Sequence, residues 1–221
     1  MNNEFKNADE AFTHYLNGLV GEGAEPFRDT QALFNECFTV LNPLDNKIAC
    51  PAREWSQTYA DREWEWYLSG DRDASGIAKY APMWHNMMDV AGQVWSNYGW
   101  WWQHRNQYEV MIHKLTQDTA TRQAIMVHFS PTFYSSMMKD VPCNLVLNFY
   151  IVEGFLNLTI FARSIDLWFG FCNDQYQFSK LMEKVGKEIS KPVGTMTYMI
   201  TNFHLYNKQV DYVRNYVKTG H

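Results

Sequence analysis

The 221-residue sequence has no block of Lys or Arg: 19 basic residues are scattered among 24 acidic ones, giving a formal charge of 19 − 24 = −5. Duplex DNA and anionic membranes are bound through clustered positive charge, so both are poor candidates for a partner. A small anionic ligand, for which a few arginines suffice, is still compatible. No apolar run reaches membrane-spanning length, since the best candidate, residues 144–162, is interrupted by Asn148, Glu153, Gly154 and Asn157. Cys37, Cys50, Cys143 and Cys172 show no CxxC spacing, so neither a zinc site nor a disulfide framework is expected, and a functional cysteine would act alone as a thiolate. The opening Met1-Asn2-Asn3-Glu4-Phe5 has no basic segment followed by an apolar one, so a cytoplasmic protein is expected. No repeat, low-complexity tract or Pro/Gly-rich linker divides the chain, and residues 1–221 read as a single domain.

What the chain has in quantity is apolar and aromatic material, 46% hydrophobic and 16% aromatic residues. That supports a core too large for a plain helical bundle and suggests a mixed α/β protein with a large buried sheet. Helical spacing of Ala8, Ala11, Phe12, Tyr15, Leu16 and Leu19 predicts a helix over 8–20. Further helices are expected at 58–68, 107–115, 176–189 and 211–217, and strands at 33–41, 124–129 and 198–203. Residues 145–152 and 155–162, joined by Glu153-Gly154, read as a β-hairpin with both faces buried. Residues 76–108 resist assignment, because Trp84, Trp95, Trp100, Trp101 and Trp102 crowd a stretch without clear period. Loops built of aromatics commonly wall something in.

Cys143, in Pro142-Cys143-Asn144, directly precedes the hairpin, and the hairpin leads to Arg163-Ser164-Ile165-Asp166 and then Gly170-Phe171-Cys172-Asn173-Asp174. A cysteine before a strand is more often a small core residue than a nucleophile. Here it stands in an ordered set with Glu63, inside Arg62-Glu63-Trp64-Glu65-Trp66-Tyr67, with Ser96-Asn97-Tyr98-Gly99-Trp100, with Thr121-Arg122, and with His204-Leu205-Tyr206. This order, from Arg28 to Tyr206, resembles the thymidylate synthase superfamily. The local wording is most similar to the phage deoxycytidylate hydroxymethylases.

The resemblance implies an α/β (α+β) thymidylate synthase-like fold, a large mixed sheet flanked by helices, with one sheet face packed in a homodimer. It implies a one-carbon transferase with 5,10-methylenetetrahydrofolate as co-substrate and no metal. Cys143 would add to C6 of a pyrimidine nucleotide, making C5 nucleophilic, and Arg163 would favour its thiolate. Arg28, Arg163, Ser164 and, from the partner subunit, Arg122 would hold the phosphate, although Gln123 stands where the family usually has a second arginine. Glu63 would organise water and carry protons, with a raised proton affinity on a semi-buried face. Tyr98 would lie beside Cys143, His204 and Tyr206 would bond the sugar hydroxyl, and Asp166, Glu63 and Trp84 would meet the folate.

Asp174 bears on the substrate. Where a thymidylate synthase has an asparagine matched to uracil, this chain has an acid that can accept from the cytosine amino group, provided that the acid or N3 holds a proton. A slip of one residue would put Asn173 there instead and favour uracil. The chain ends fifteen residues after Tyr206, without the long closing segment of the synthases, so water rather than hydride is expected to quench the exocyclic methylene. Asn144 in place of the synthase histidine is compatible with this. The leading expectation is a deoxycytidylate 5-hydroxymethylase. The alternatives are a deoxycytidylate methylase, a hydroxymethylase of CMP or dUMP, and a silent nucleotide-binding homologue.

Overall fold

The computed structural model describes residues 3–136 and 139–219. The chain opens with β1 (Asn3–Phe5) and α1 (Ala8–Val20), whose first turn is capped by the Asn7 side chain accepting from the Glu10 N–H. A short β2 (Glu25–Phe27) turns into the long β3 (Thr30–Val40), and α2 (Gln57–Ser69) follows, capped by Ser56. The stretch without sequence period forms short helices, α3 (Trp84–Met87) and α4 (Tyr98–Gln103), before α5 (Gln107–Gln117). Then come β4 (Ile125–Val127), the hairpin β5 (Asn144–Val152) and β6 (Phe155–Ala162), and a two-residue β7 (Ile165–Asp166). A π-helical turn, Leu167–Phe171, runs into α6 (Cys172–Glu188), and β8 (Val193–Tyr206) and α7 (Asn207–Thr219) close the chain.

All eight strands share one sheet of order β1-β3-β8-β6-β5-β4, with β2 on β3 and β7 on β8. It is mixed: β1/β3 and β6/β8 are parallel, whereas β3/β8, β5/β6 and β4/β5 are antiparallel. The expected mixed sheet with flanking helices is therefore present. The hairpin forms where Glu153-Gly154 predicts it, because both residues adopt positive φ (53° and 84°), the backbone of a tight two-residue turn.

One face of the sheet carries the core: Leu156, Leu158 and Ile160 of β6 and Met196, Tyr198 and Ile200 of β8 pack with Phe178, Leu181, Met182 and Val185 of α6. The expectation that both hairpin faces are buried is corrected. On the opposite face Val152, Phe155, Phe161 and Met199 are exposed in the single chain, with Phe161 and Met199 paired across β6 and β8. A near-continuous apolar run identifies a strand, but it cannot say whether its second face is covered within the same chain.

Along β8 the buried positions run Met196, Tyr198, Ile200 and then Phe203, Leu205. This change of phase by one residue turns Asn202, His204 and Tyr206 away from the core. At the opposite edge of the helical layer, α4 lies directly on α2: a Cβ on Gly99 would come within 1.5 Å of the Tyr67 carbonyl oxygen. Only glycine permits that approach, which sets the Tyr98 ring 5.4 Å from the Tyr67 ring.

Candidate active site

The hairpin pairing extends one residue past β5, where the Arg163 N–H donates to the Cys143 carbonyl at 3.0 Å. Cys143 and Arg163 thus face each other at one end of the sheet. The guanidinium is fixed by donating to the carbonyls of Pro142 (3.0 Å) and Val141 (2.5 Å), and its other contact is the Cys143 Sγ at 3.7 Å. The expected thiolate, however, is not what the surroundings of Cys143 favour. Burial pushes the Cys143 thiol up to about 11; Arg163 pulls it down, but Asp174, Asp140 and Asp166 push the other way. The nearness of Arg163 follows from the resemblance, whereas the burial that dominates here, and the approach of Asp174 from the start of α6, are set by the fold. Alkylation of Cys143 by iodoacetamide, followed by peptide mass analysis, should accordingly accelerate about tenfold per pH unit from 7 to 10, as the small thiolate fraction grows. Arg163→Ala should slow it throughout that range. A rate that levels off below pH 8 would show a thiol already ionised at neutrality.

Asn144, the first residue of β5, is the hub behind Cys143. Its fully buried amide donates to the Tyr98 hydroxyl at 2.9 Å and to the Asp174 carboxyl at 2.8 Å, while its own carbonyl oxygen Oδ1 is buried without a partner. The structure thus brings Tyr98, Asn144 and Asp174 together next to Cys143. Asp174 sits in the first turn of α6, buried, and retains its proton up to about 8, chiefly through burial and then through repulsion from Glu63. The neighbouring Asn173 faces elsewhere: it donates to the Phe169 carbonyl (3.0 Å) and accepts from the Trp55 indole (3.0 Å).

Glu63 lies on α2, 3% exposed, more deeply buried than a semi-buried face would make it. One carboxyl oxygen accepts from the Tyr59 hydroxyl at 2.7 Å and the other from the Gln177 amide at 3.0 Å. Burial raises its proton affinity to about 7, against these two bonds, which lower it. Trp84 is buried and gives its indole N–H to Tyr59 at 3.0 Å, so its polar edge is turned toward the Glu63 network.

Ser164, Asn202, His204 and Tyr206 cluster where β7 meets β8. His204 Nδ1 lies 2.8 Å from Asn202 Oδ1 and 3.3 Å from Ser164 Oγ, and the His204 and Tyr206 rings are 5.4 Å apart. With Nδ1 donating to the amide oxygen, Nε2 is left as an acceptor; burial keeps the ring toward its neutral form. Asp166 pairs with His204 across β7 and β8, and its two oxygens each accept a backbone N–H at 3.0 Å, from Trp168 and Phe169. Arg28 is exposed at positive φ (56°) in the β2–β3 turn, two residues before Thr30, which pairs with Tyr206. Arg122 is exposed and does not join this group within the chain. It precedes Ile125, which pairs with Asn148, so Arg122 lies toward the end of β5 remote from Cys143.

Four residues absent from the sequence reading belong to this assembly. His128 is fully buried, stacked 4.8 Å from the Tyr98 ring, bonded through Nδ1 to the Asn144 backbone carbonyl (2.8 Å), and through Nε2 to the Trp102 indole (3.1 Å). Burial lowers its proton affinity to about 4, so it serves as a neutral prop. Asp140 accepts from the Trp95 and Ser96 N–H groups and the Ser96 hydroxyl, tying the approach to Cys143 to the loop before Tyr98. Tyr59 and Gln177 hold Glu63. Each stands alone in its segment of sequence, with no pattern to single it out. The tryptophan triplet also has a packing use: Trp102 bonds His128, the Trp101 indole bonds the Trp95 carbonyl, and Trp100 stacks on His104. Among the described residues no group of three or more His, Cys, Asp or Glu side chains could hold a metal ion.

The mixed sheet thus brings a thiol and an arginine to one end, with buried carboxyls behind them. The profile of the thymidylate synthase family matches residues 50–220, and the chain belongs to that family of one-carbon transferases. The chain is 28% identical over 177 residues to the deoxycytidylate 5-hydroxymethyltransferase of Enterobacteria phage T4, covering 73% of this chain and 72% of that protein. It is 34% identical over 104 residues to the deoxyuridylate hydroxymethyltransferase of Bacillus phage SP01, covering 46% of this chain and 27% of the other. Its fold is that of thermostable thymidylate synthase A from Bacillus subtilis, with a TM-score of 0.79 at 16% identity, covering 96% and 84% of the two chains.

Proposed function

We propose that the protein is a deoxycytidylate 5-hydroxymethylase acting as a homodimer through the whole chain. The single observation that carries the cytosine assignment is the placement of Asp174: buried, protonated near neutrality, held by Asn144 beside Cys143, while Asn173 is turned to Phe169 and Trp55. A carboxylic acid offers cytosine a donor for N3 and an acceptor for the N4 amino group, and it can pass its proton to N3. That transfer makes C6 electrophilic when Cys143 adds.

In this reading Cys143 forms the bond to C6 and Arg163 stabilises the emerging thiolate from 3.7 Å. The Cys143 proton must leave as the bond forms, and Glu63, with a proton affinity near 7, is suited to take and return protons around the base. Neutral His204 accepts from the sugar hydroxyl through Nε2, supported by Tyr206. Arg28, Arg163 and Ser164 bind the phosphate, and Arg122, remote from Cys143 in its own chain, reaches the partner's site across the exposed sheet face.

The residues fit 5,10-methylenetetrahydrofolate. The Asp166 carboxyl accepts backbone N–H groups from Trp168 and Phe169, with Gly170 also acting on it, and two carboxyl oxygens have lone pairs enough to take a ring donor as well. A cavity of about 410 Å³ beside Trp168 and Phe169 is lined further by Arg53, Glu54, Lys208 and Tyr212; its rings suit a flat heterocycle, and its two cations against one acid leave it able to take an acidic tail. When bound, the folate supplies the one-carbon unit at the oxidation level of formaldehyde. Hydroxymethyl rather than methyl transfer is favoured by the similarity to the phage T4 deoxycytidylate enzyme, and the phage SP01 relative makes dUMP the substrate to set against dCMP. The test is release of tritium from 5-tritiated dCMP into water in the presence of 5,10-methylenetetrahydrofolate. Release from dCMP well above that from dUMP supports the reading, and release from dUMP alone would overturn it.

A further inference from the structure

Glu63 is the proton carrier of the proposed reaction, and the hydrogen bonds around it have a fixed direction. An indole N–H can only donate, so the Trp84 Nε1–Tyr59 Oη bond of 3.0 Å uses the Tyr59 oxygen as acceptor. The single Tyr59 proton is then committed to Glu63 Oε1, 2.7 Å away. On the other side, Gln177 Nε2 donates to both the Ala60 carbonyl (2.9 Å) and Glu63 Oε2 (3.0 Å), and the carbonyl contact fixes which end of the amide faces the acid. Both carboxyl oxygens therefore meet donors that cannot reverse. The Tyr59 hydroxyl keeps its proton firmly, because it is buried and faces Glu63, so it acts as a permanent donor.

We propose that Tyr59, aligned by Trp84, is the positioning residue of Glu63: the Trp84–Tyr59–Glu63 relay fixes one carboxyl oxygen and governs how readily the acid takes up a proton. The other titratable groups facing Glu63 are Tyr67 on its own helix and Asp174 on α6, with Tyr98 of α4 beyond Asp174. Burial raises the affinity of Glu63 for protons, and the bonds from Tyr59 and Gln177 oppose it. Loss of the Tyr59 hydroxyl removes a hydrogen bond made to the charged form, so Glu63 should titrate about one pH unit higher, a tenfold change in its ionisation ratio. Trp84→Phe keeps an aromatic ring but loses the aligning N–H, and should shift it in the same direction by less.

This inference rests on Glu63 carrying protons in the proposed reaction, and the test separates the two. The full chain is labelled with ¹³C-glutamate at Cδ, the Glu63 resonance is assigned by its loss in Glu63→Gln, and its midpoint is followed with pH in wild type, Tyr59→Phe and Trp84→Phe. A midpoint raised in both variants, more in Tyr59→Phe, is the expected result. An unmoved midpoint overturns the relay, and if Tyr59→Phe fails to fold, Trp84→Phe decides alone. The pH profile of tritium release is then compared. A profile that shifts with the midpoint, with kcat reduced and KM for dCMP unchanged, supports both claims. A shifted midpoint with an unshifted profile leaves the relay standing and removes Glu63 from the reaction.

Discussion

Cys143→Ser should turn over dCMP about 10⁴-fold more slowly or worse, the scale on which loss of an enzymic nucleophile is felt, while dCMP affinity stays within about threefold of wild type. The reason is that the phosphate and sugar contacts assigned to Arg28, Arg163, Ser164, His204 and Tyr206 do not involve the thiol, whereas C6 addition does. A serine hydroxyl, with no nearby base strong enough to ionise it, cannot replace a thiolate that leaves as easily as it adds. Calorimetric titration with dCMP alongside the tritium-release assay separates the two quantities. Retention of more than about one hundredth of the wild-type rate would contradict covalent catalysis by Cys143, and loss of binding together with turnover would mean that the variant had damaged the site rather than removed a nucleophile.

Asp174→Asn should invert the base preference. An amide can donate to O4 of uracil and accept from its N3–H, but it has no proton to transfer to N3 of cytosine. The ratio of kcat/KM for dCMP over dUMP should therefore fall by about 10³-fold or more, the range in which a site built around one polar group rejects the wrong partner. The same variant has a second signature in stability. Asp174 ordinarily titrates near 3.8 and in the fold near 8, so the native state holds a proton that the unfolded state has lost across that interval. Stability linked to this group is complete below about pH 4 and declines as pH rises toward 8, by at most roughly 6 kcal/mol. Asp174→Asn cannot ionise, so its stability relative to wild type should grow from pH 5 to 8, as read from urea unfolding at each pH. A constant difference would mean that the Asp174 carboxyl is charged in the native protein, and would remove the argument for a proton shared with cytosine.

Much of this site was legible from local patterns. Helix α1 follows from its apolar stripe, the hairpin from Glu153-Gly154 between apolar runs, and the nearness of Cys143 to Arg163 and the residues after it from their places at the two ends of that hairpin. Asp174 follows Asp166 through a turn and the start of a helix, so its placement is also largely local. What escaped was created by contacts distant in sequence. The stretch from Trp84 to Gln103 takes its shape from packing on α2, where Gly99 meets the Tyr67 backbone. His128 and Tyr59 look like core residues until the fold places them against Asn144 and Glu63. The net protonation of Cys143 depends on burial and on Asp140 of its own loop, Asp166 of β7 and Asp174 of α6, and no spacing rule sums those fields. The exposed face of β6 and β8 was misread because apolar strand composition is blind to which molecule covers it.

The central claim is the product. Incubation of the protein with 5,10-methylenetetrahydrofolate and dCMP, with dUMP and CMP in parallel, and a mass spectrum of each nucleotide, tests it most directly. The account predicts that dCMP gains one carbon, two hydrogens and one oxygen, the mass of a hydroxymethyl group replacing the C5 hydrogen, with little change in dUMP. A gain of carbon and hydrogen without oxygen would mean hydride in place of water, and an unmodified dCMP beside a modified dUMP would contradict the reading of Asp174.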